Sequence, residues 1–193
     1  MGLSTPSPRE REQRFRDIYD AAYVDLLRFV RRRVHPTHAE DVVGEVMLIA
    51  WRRLDDVPAD LPAARAWLFG VARKVLQNAR RREDKHDAVA VRLAEAQDDP
   101  EPVDAGHHPD LVACRIDLGA AWPLLSATDQ EAIALAVLDG LTAPEAATVL
   151  GISATAFRLR LSRARRTLRR HLDQTDAARA PEPVLPASER SPR

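Results

Sequence analysis

The chain has 193 residues, 45% of them hydrophobic and 30% charged, which suits one or two small globular domains. Its 29 basic and 29 acidic residues cancel, arguing against indiscriminate coating of nucleic acid, and its single cysteine, Cys114, excludes an internal disulfide and fits a reducing compartment. No apolar run approaches the roughly 20 residues of a membrane helix, and the opening MGLSTPSPRE lacks a signal-peptide core, so a cytoplasmic location without membrane insertion is expected. Ala, Leu and Arg are abundant, aromatics make up only 5%, and no alternating Val/Ile/Thr run stands out. An all-α fold is expected.

Residues 1–8 are Ser/Pro-rich and are expected to be disordered. A first helix should run from Arg9 to about Val34, with Phe15, Ile18, Tyr19, Ala22, Leu26, Phe29 and Val30 on its apolar stripe. His35-Pro36 breaks it, and Thr37 with Glu40 has the form of a capping box opening a second helix to about Leu54. Val43, Val46, Met47, Ala50 and Leu54 form its core face, while Asp41 and Glu45 lie one turn apart outside. Two prolines and three aspartates make Asp55–Pro62 a loop. A third helix follows to about Asp84, apolar at Trp67, Leu68, Val71, Val75 and Ala79 and basic in its later turns.

Residues 85–110 turn acidic, with Pro and His and no sustained periodicity, and read as a flexible linker. A second helical domain spans 111–172. Leu111, Ile116, Leu118, Trp122 and Leu125 belong to one helix and Ile133, Leu135, Val137 and Leu138 to another begun by Ser126. Residues 173–193 are Pro/Ala-rich and expected to be a disordered tail. The organisation is two small helical domains, 9–84 and 111–172, joined by the acidic linker.

The most informative stretch is Thr142–Leu172. Thr142 and Glu145 form a capping box, Pro144 sits in a first turn, Gly151 suits a left-handed helix end, and Ser153 can cap a longer helix. On that helix Phe157, Leu161, Ala164, Leu168 and Leu172 share one face. The rest of its circumference carries seven arginines, and no Asp or Glu occurs between Ala146 and Leu172. This is a helix-turn-helix with a one-signed second helix, fit to neutralise phosphates and enter a major groove.

The runs HAEDVVGEVMLIAWRRLDDVP, RAWLFGVARKVLQNARRR and LSATDQEAIALAVLDGLTAPEAATVLGISATAFRLRLSRARRTLRRHL, in that order, resemble the extracytoplasmic-function (ECF) group of sigma-70-type RNA polymerase sigma factors over nearly all of residues 11–172. The Ala- and Arg-rich composition is similar to that of high-GC actinobacterial members. The resemblance implies an alternative sigma factor that binds core polymerase through the β′ clamp and β flap, recognises −35 and −10 promoter DNA and helps open the strands. It implies no catalysis and no cofactor, and an anti-sigma factor as a further partner.

By the same resemblance Asp41 and Glu45 would dock on the β′ clamp. The loop 55–62 and the helix after it would open and read the −10 element, with Arg73, Lys74, Gln77, Asn78, Arg81 and Arg82 on the displaced strand. Ser153, Thr155, Arg158 and Ser162 would face −35 bases, and Arg165 and Arg169 phosphates. Gly44 stands where members commonly have glutamine, and Ala154, Ala156 and Leu159 are apolar where many are polar, shifting weight to shape readout or thymine-methyl contact. The long segment that housekeeping sigma factors send through the active-site channel has no counterpart, leaving the acidic linker to follow that path.

Two other classes of function have some support in the sequence. A stand-alone helix-turn-helix regulator would explain 111–172 but leave the first domain without a role. An enzyme or metal site would have to use Cys114 with His107 and His108, or His35, His38 and Asp41; no CxxC or HExxH spacing supports either. Trp51, Trp67 and Trp122 read as core residues rather than base-stacking platforms.

Overall fold

A computed structural model describes residues 7–82 and 116–179, with side chains to residues 79 and 175. Among these residues all regular structure is helical and no strand occurs. Helices α1 (Pro8–Arg31), α2 (Pro36–Arg52) and α3 (Leu61–Arg82) make a first unit. Helices α4 (residues 116–121), α5 (Ala127–Val137), α6 (Ala143–Leu150) and α7 (Ala154–Arg179) make a second. No described helix is long and apolar enough to cross a membrane. The expected linker, 85–110, lies outside the described residues.

Local chemistry explains the helix ends, and several differ from expectation. The Ser7 hydroxyl accepts from the Glu10 N–H at 3.3 Å, and the Glu10 carboxylate accepts from the Ser7 N–H at 2.7 Å. Ser7-Pro8-Arg9-Glu10 is therefore a capping box at the edge of the stretch read as disordered, and its bonds hold the Glu10 carboxyl below its ordinary range. Helix α1 then stops at Arg31, short of Val34. The Thr37–Glu40 box does not form. His35 is the N-cap and Pro36 takes N1, where its fixed φ suits the first turn, and the Thr37 hydroxyl lies 2.9 Å from His35 Nδ1. Asp60 accepts from the Ala63 N–H at 3.0 Å and starts α3 at Leu61. Helix α7 continues to Arg179, past the expected start of the tail at residue 173, and residues 180–193 lie outside the described residues.

The two units share a core. One cluster joins Leu26, Phe29, Val43, Val46, Leu68 and Phe69 of the first to Ala132, Leu135, Leu141, Val149 and Phe157 of the second. A fully buried Leu or Phe contributes about 1.5–3 kcal/mol here. A smaller cluster, Trp122, Leu125, Ile133, Ala134 and Ala164, belongs to the second unit alone. Helix α5 lies between the two clusters and buries Gln130 through Leu135 without a break. The run 130–135 has no solvent face and must be covered all round, whereas Val137 beyond it is 59% exposed. Trp122 is buried, Trp67 half-buried, and Trp51 is more open than expected, edge-on to Phe15 at 5.3 Å.

Two glycines in or beside helices should respond oppositely to a methyl group. Gly44 is exposed inside α2, and a Cβ there would meet nothing within 4 Å. Gly44→Ala should stabilise the chain by about 0.5–1 kcal/mol through lost unfolded-state entropy. Gly151 has φ 67°, so Gly151→Ala should destabilise by about 1–2 kcal/mol. Urea denaturation of both variants checks the sign of each.

Candidate nucleic-acid interface

The helix-turn-helix is built as its sequence indicates. Glu145 accepts from the Thr142 N–H at 2.7 Å and from its hydroxyl at 2.6 Å. Gly151 turns left-handed and lets the Ile152 N–H reach the Ala147 carbonyl at 3.0 Å. The Ser153 hydroxyl then accepts from the Ala156 N–H at 3.1 Å and begins α7. Phe157 and Ala164 anchor α7 underneath, with Leu161 and Leu168 half-buried beside them.

The opposite face of α7 is open. Arg158, Ser162, Arg165 and Arg169 recur at steps of four, three and four, and all four are exposed, as are Ser153 and Thr155. Arg158, Ser162, Arg165 and Arg169 line one shallow groove with Leu161. Among the described residues none of these guanidiniums pairs with a carboxylate. Leu159 is 52% exposed, an apolar group beside the polar stripe.

The −10 candidates share a second groove. Arg73, Lys74, Gln77 and Asn78 of α3 line it with Glu45 and Arg53 of α2, Trp67, and Thr148 to Gly151 at the end of α6. Arg81 and Arg82 stand on the last turn of α3, and their side chains lie outside the described residues. In the neighbouring loop Arg11 grips both Asp55 oxygens at 2.8 and 2.9 Å, and Arg53 holds Asp56 at 2.8 Å. Asp41 and Glu45 are exposed one turn apart on α2, and Leu48, 48% exposed, continues their stripe. The expected acidic pair thus has an apolar neighbour that sequence reading passed over.

Two further carboxylates were also missed, because their partners are distant in sequence. Glu131 of α5 binds Arg73 through both oxygens, at 2.7 and 3.1 Å. Asp139, just past α5, is held by Arg32 through one oxygen and by Arg33 at 2.9 Å through the other. The side chains of Arg33 and Asp139 are both 0% exposed. Burial pushes the Arg33 guanidinium down from its ordinary range, and Asp139 opposes that shift. Arg32 also donates to the Leu138 carbonyl at 3.3 Å, and Arg65 donates to the Asp139 carbonyl.

Among the described residues no group of three His, Cys, Asp or Glu could hold a metal ion. Cys114, His107 and His108 lie outside them.

Comparison with known proteins agrees with this division. Residues 18–86 match the model of sigma-70 region 2 and residues 116–168 that of sigma-70 region 4. The chain is 34% identical over 153 residues to the RNA polymerase sigma factor CnrH of Cupriavidus metallidurans, covering 71% of this chain and 74% of that protein. It is 30% identical over 168 residues to the ECF RNA polymerase sigma factor SigL of Mycobacterium tuberculosis, covering 85% of this chain and 92% of the relative. The solved structure of CnrH in complex with the cytosolic domain of CnrY superposes with a TM-score of 0.54 at 28% identity, over 84% of this chain and 90% of that one. The chain belongs to the ECF subfamily of sigma-70-type RNA polymerase sigma factors, the alternative sigma factors of transcription initiation.

The footing of α7 can be tested. Phe157 is 1% exposed and fills the space beneath the first turn of the helix. Phe157→Ala should cost about 3–5 kcal/mol of stability in urea denaturation. A loss below about 1 kcal/mol, a size typical of surface positions, would mean that the turn is held by other contacts.

Proposed function

We propose that this chain docks on core polymerase through Asp41, Glu45 and Leu48, reads −35 duplex with α7 and captures the −10 strand along α3. The open arginine stripe of α7 carries this reading. A surface of one sign, set on a capped and anchored helix, has phosphate as its natural counter-charge. Ser153, Thr155, Arg158 and Ser162 are nearest the helix start and contact bases; Arg165 and Arg169 lie further along and contact phosphates. Leu159 supplies apolar contact for a thymine methyl. On α3, Arg73, Lys74, Arg81 and Arg82 neutralise the backbone of the opened strand while Gln77 and Asn78 meet base edges.

The chain acts in the cytoplasm as an initiation factor and performs no catalysis of its own. An anti-sigma factor is its regulatory partner, a reading supported by the relative CnrH, solved with the cytosolic domain of CnrY. The Ala- and Arg-rich composition supports an actinobacterial source.

Reconstitution with bacterial core polymerase tests the reading directly. Asp41→Lys with Glu45→Lys should abolish co-purification with core while helix content is unchanged. Retention of core at the parent level would overturn the docking assignment. In duplex binding titrations Arg165→Ala should weaken all sequences alike and flatten the salt dependence by roughly one charge. Arg158→Ala should instead change which −35 bases are preferred, by about 1–3 kcal/mol at the position read. Uniform weakening by both variants would move the base-reading turn elsewhere.

A further inference from the structure

The loop that joins α2 to α3 is held from outside itself. It opens with a single 3-10 turn, Leu54–Asp56, and Leu54 and Val57 are buried beneath it. Within the loop Arg53 holds Asp56 at 2.8 Å, and Asp60 caps α3 through the Ala63 N–H at 3.0 Å. Two further contacts come from α1, more than forty residues earlier. Arg11 takes both Asp55 oxygens, at 2.8 and 2.9 Å, and Arg14 donates to the Val57 carbonyl. Arg11 and Arg14 stand three residues apart in the first turns of α1 and share one face. The Ser7–Glu10 capping box fixes the turn just before them, and the Arg11 N–H donates to the Ser7 carbonyl at 3.0 Å. Phe15, edge-on to Trp51, packs the next turn of α1 against α2.

We propose that Arg11 and Arg14 are positioning residues for strand opening: from α1 they set the shape of the 55–62 loop before DNA arrives, and Arg11 acts on the loop rather than on the DNA. Their role rests on the reading that this loop and α3 capture the −10 strand. A loop that orders only as it binds loses affinity to the entropy of ordering, and a loop already ordered does not. An exposed ion pair alone contributes little, and the Asp55 side chain is 72% exposed. Here the Arg11 side chain is 28% exposed, lies over the Trp51 ring and meets its carboxylate through two parallel bonds. Arg14 adds a contact to the backbone itself, two residues on. Both side chains rise from a capped and packed helix, so little further freedom is lost when they engage. The same pairings also dispose of the loop's acids. Asp55, Asp56 and Asp60 would repel a strand phosphate, and each is engaged by an arginine or by the start of α3.

The test uses the full chain, alone and in holoenzyme with bacterial core polymerase on a promoter located by mapping transcript starts. The Val57 N–H donates to the Leu54 carbonyl at 3.2 Å and reports on the loop. In the free chain, Arg11→Ala with Arg14→Ala should speed hydrogen exchange at Val57 about tenfold and leave Leu135 in α5 unchanged. Core binding and −35 duplex binding should stay at the parent level, while permanganate reactivity of the −10 thymines falls about tenfold. Restoring a donor with Arg14→Lys in place of Arg14→Ala should recover part of that loss. Asp55→Asn is the deciding arm, and it decides alone if the double variant loses helix content by circular dichroism. It leaves an exposed polar group of the same shape, frees Arg11 and removes a negative charge beside the strand. Were Arg11 a phosphate ligand, Asp55→Asn would raise opening; as a positioning residue it should lower opening about threefold. Opening raised or unchanged by Asp55→Asn, or Val57 exchange at the parent rate in the folded double variant, overturns the positioning role. Faster Val57 exchange with no opening by the parent holoenzyme would instead overturn the strand-capture reading, and the positioning role with it.

Discussion

The arrangement depends on how the end of α5 is seated. The last carbonyls of a helix lack internal partners and carry the negative end of its dipole. At this end Arg32 donates to the Leu138 carbonyl and Arg65 to the Asp139 carbonyl, while the Asp139 carboxylate is gripped by Arg32 and Arg33. Arg33 is itself fixed by donating to the Phe29 carbonyl at 2.8 Å and by lying over the Phe29 ring, 3.6 Å from its centroid. Phe29 in turn stacks on Phe69 at 4.5 Å, so the socket is wired into the centre of the first unit. Removing either charge would strand the other away from water, so only one register of α5 is allowed. Gly140, at φ 63°, then turns the chain toward α6, and α6 and α7 inherit their positions from that point.

How legible each part was follows from how local its determinants are. The helix-turn-helix is specified within a few residues at a time: Thr142 with Glu145, Gly151 at a left-handed turn, Ser153 under the next helix. Those signals do not depend on the rest of the fold. The Ser7–Glu10 box was equally local but hidden in a Ser/Pro-rich start. At Thr37 two local signals competed, and the proline took precedence because its fixed φ is worth most at N1. What could not be read was the seat of α5. Arg32 and Arg33 look like an ordinary basic helix end, Asp139-Gly140 like an ordinary turn, and their partners lie more than a hundred residues apart. One trace was available: Glu131–Leu135 shows no amphipathic period, and a helix with no polar face needs cover on every side.

The same residue type performs opposite work in the two units, and the difference lies across the interface rather than in the arginines. Arg32, Arg33 and Arg73 each face a carboxylate contributed by α5 or its end. Arg158, Arg165 and Arg169 face solvent, with no described carboxylate against them. A net charge of zero over the whole chain therefore conceals a division between cations neutralised internally and cations left for a partner. The arginine stripe of α7 is open in this arrangement, whereas the α3 groove is walled on one side by the end of α6, Thr148 to Gly151. Electrostatic attraction can thus act through α7 in this arrangement.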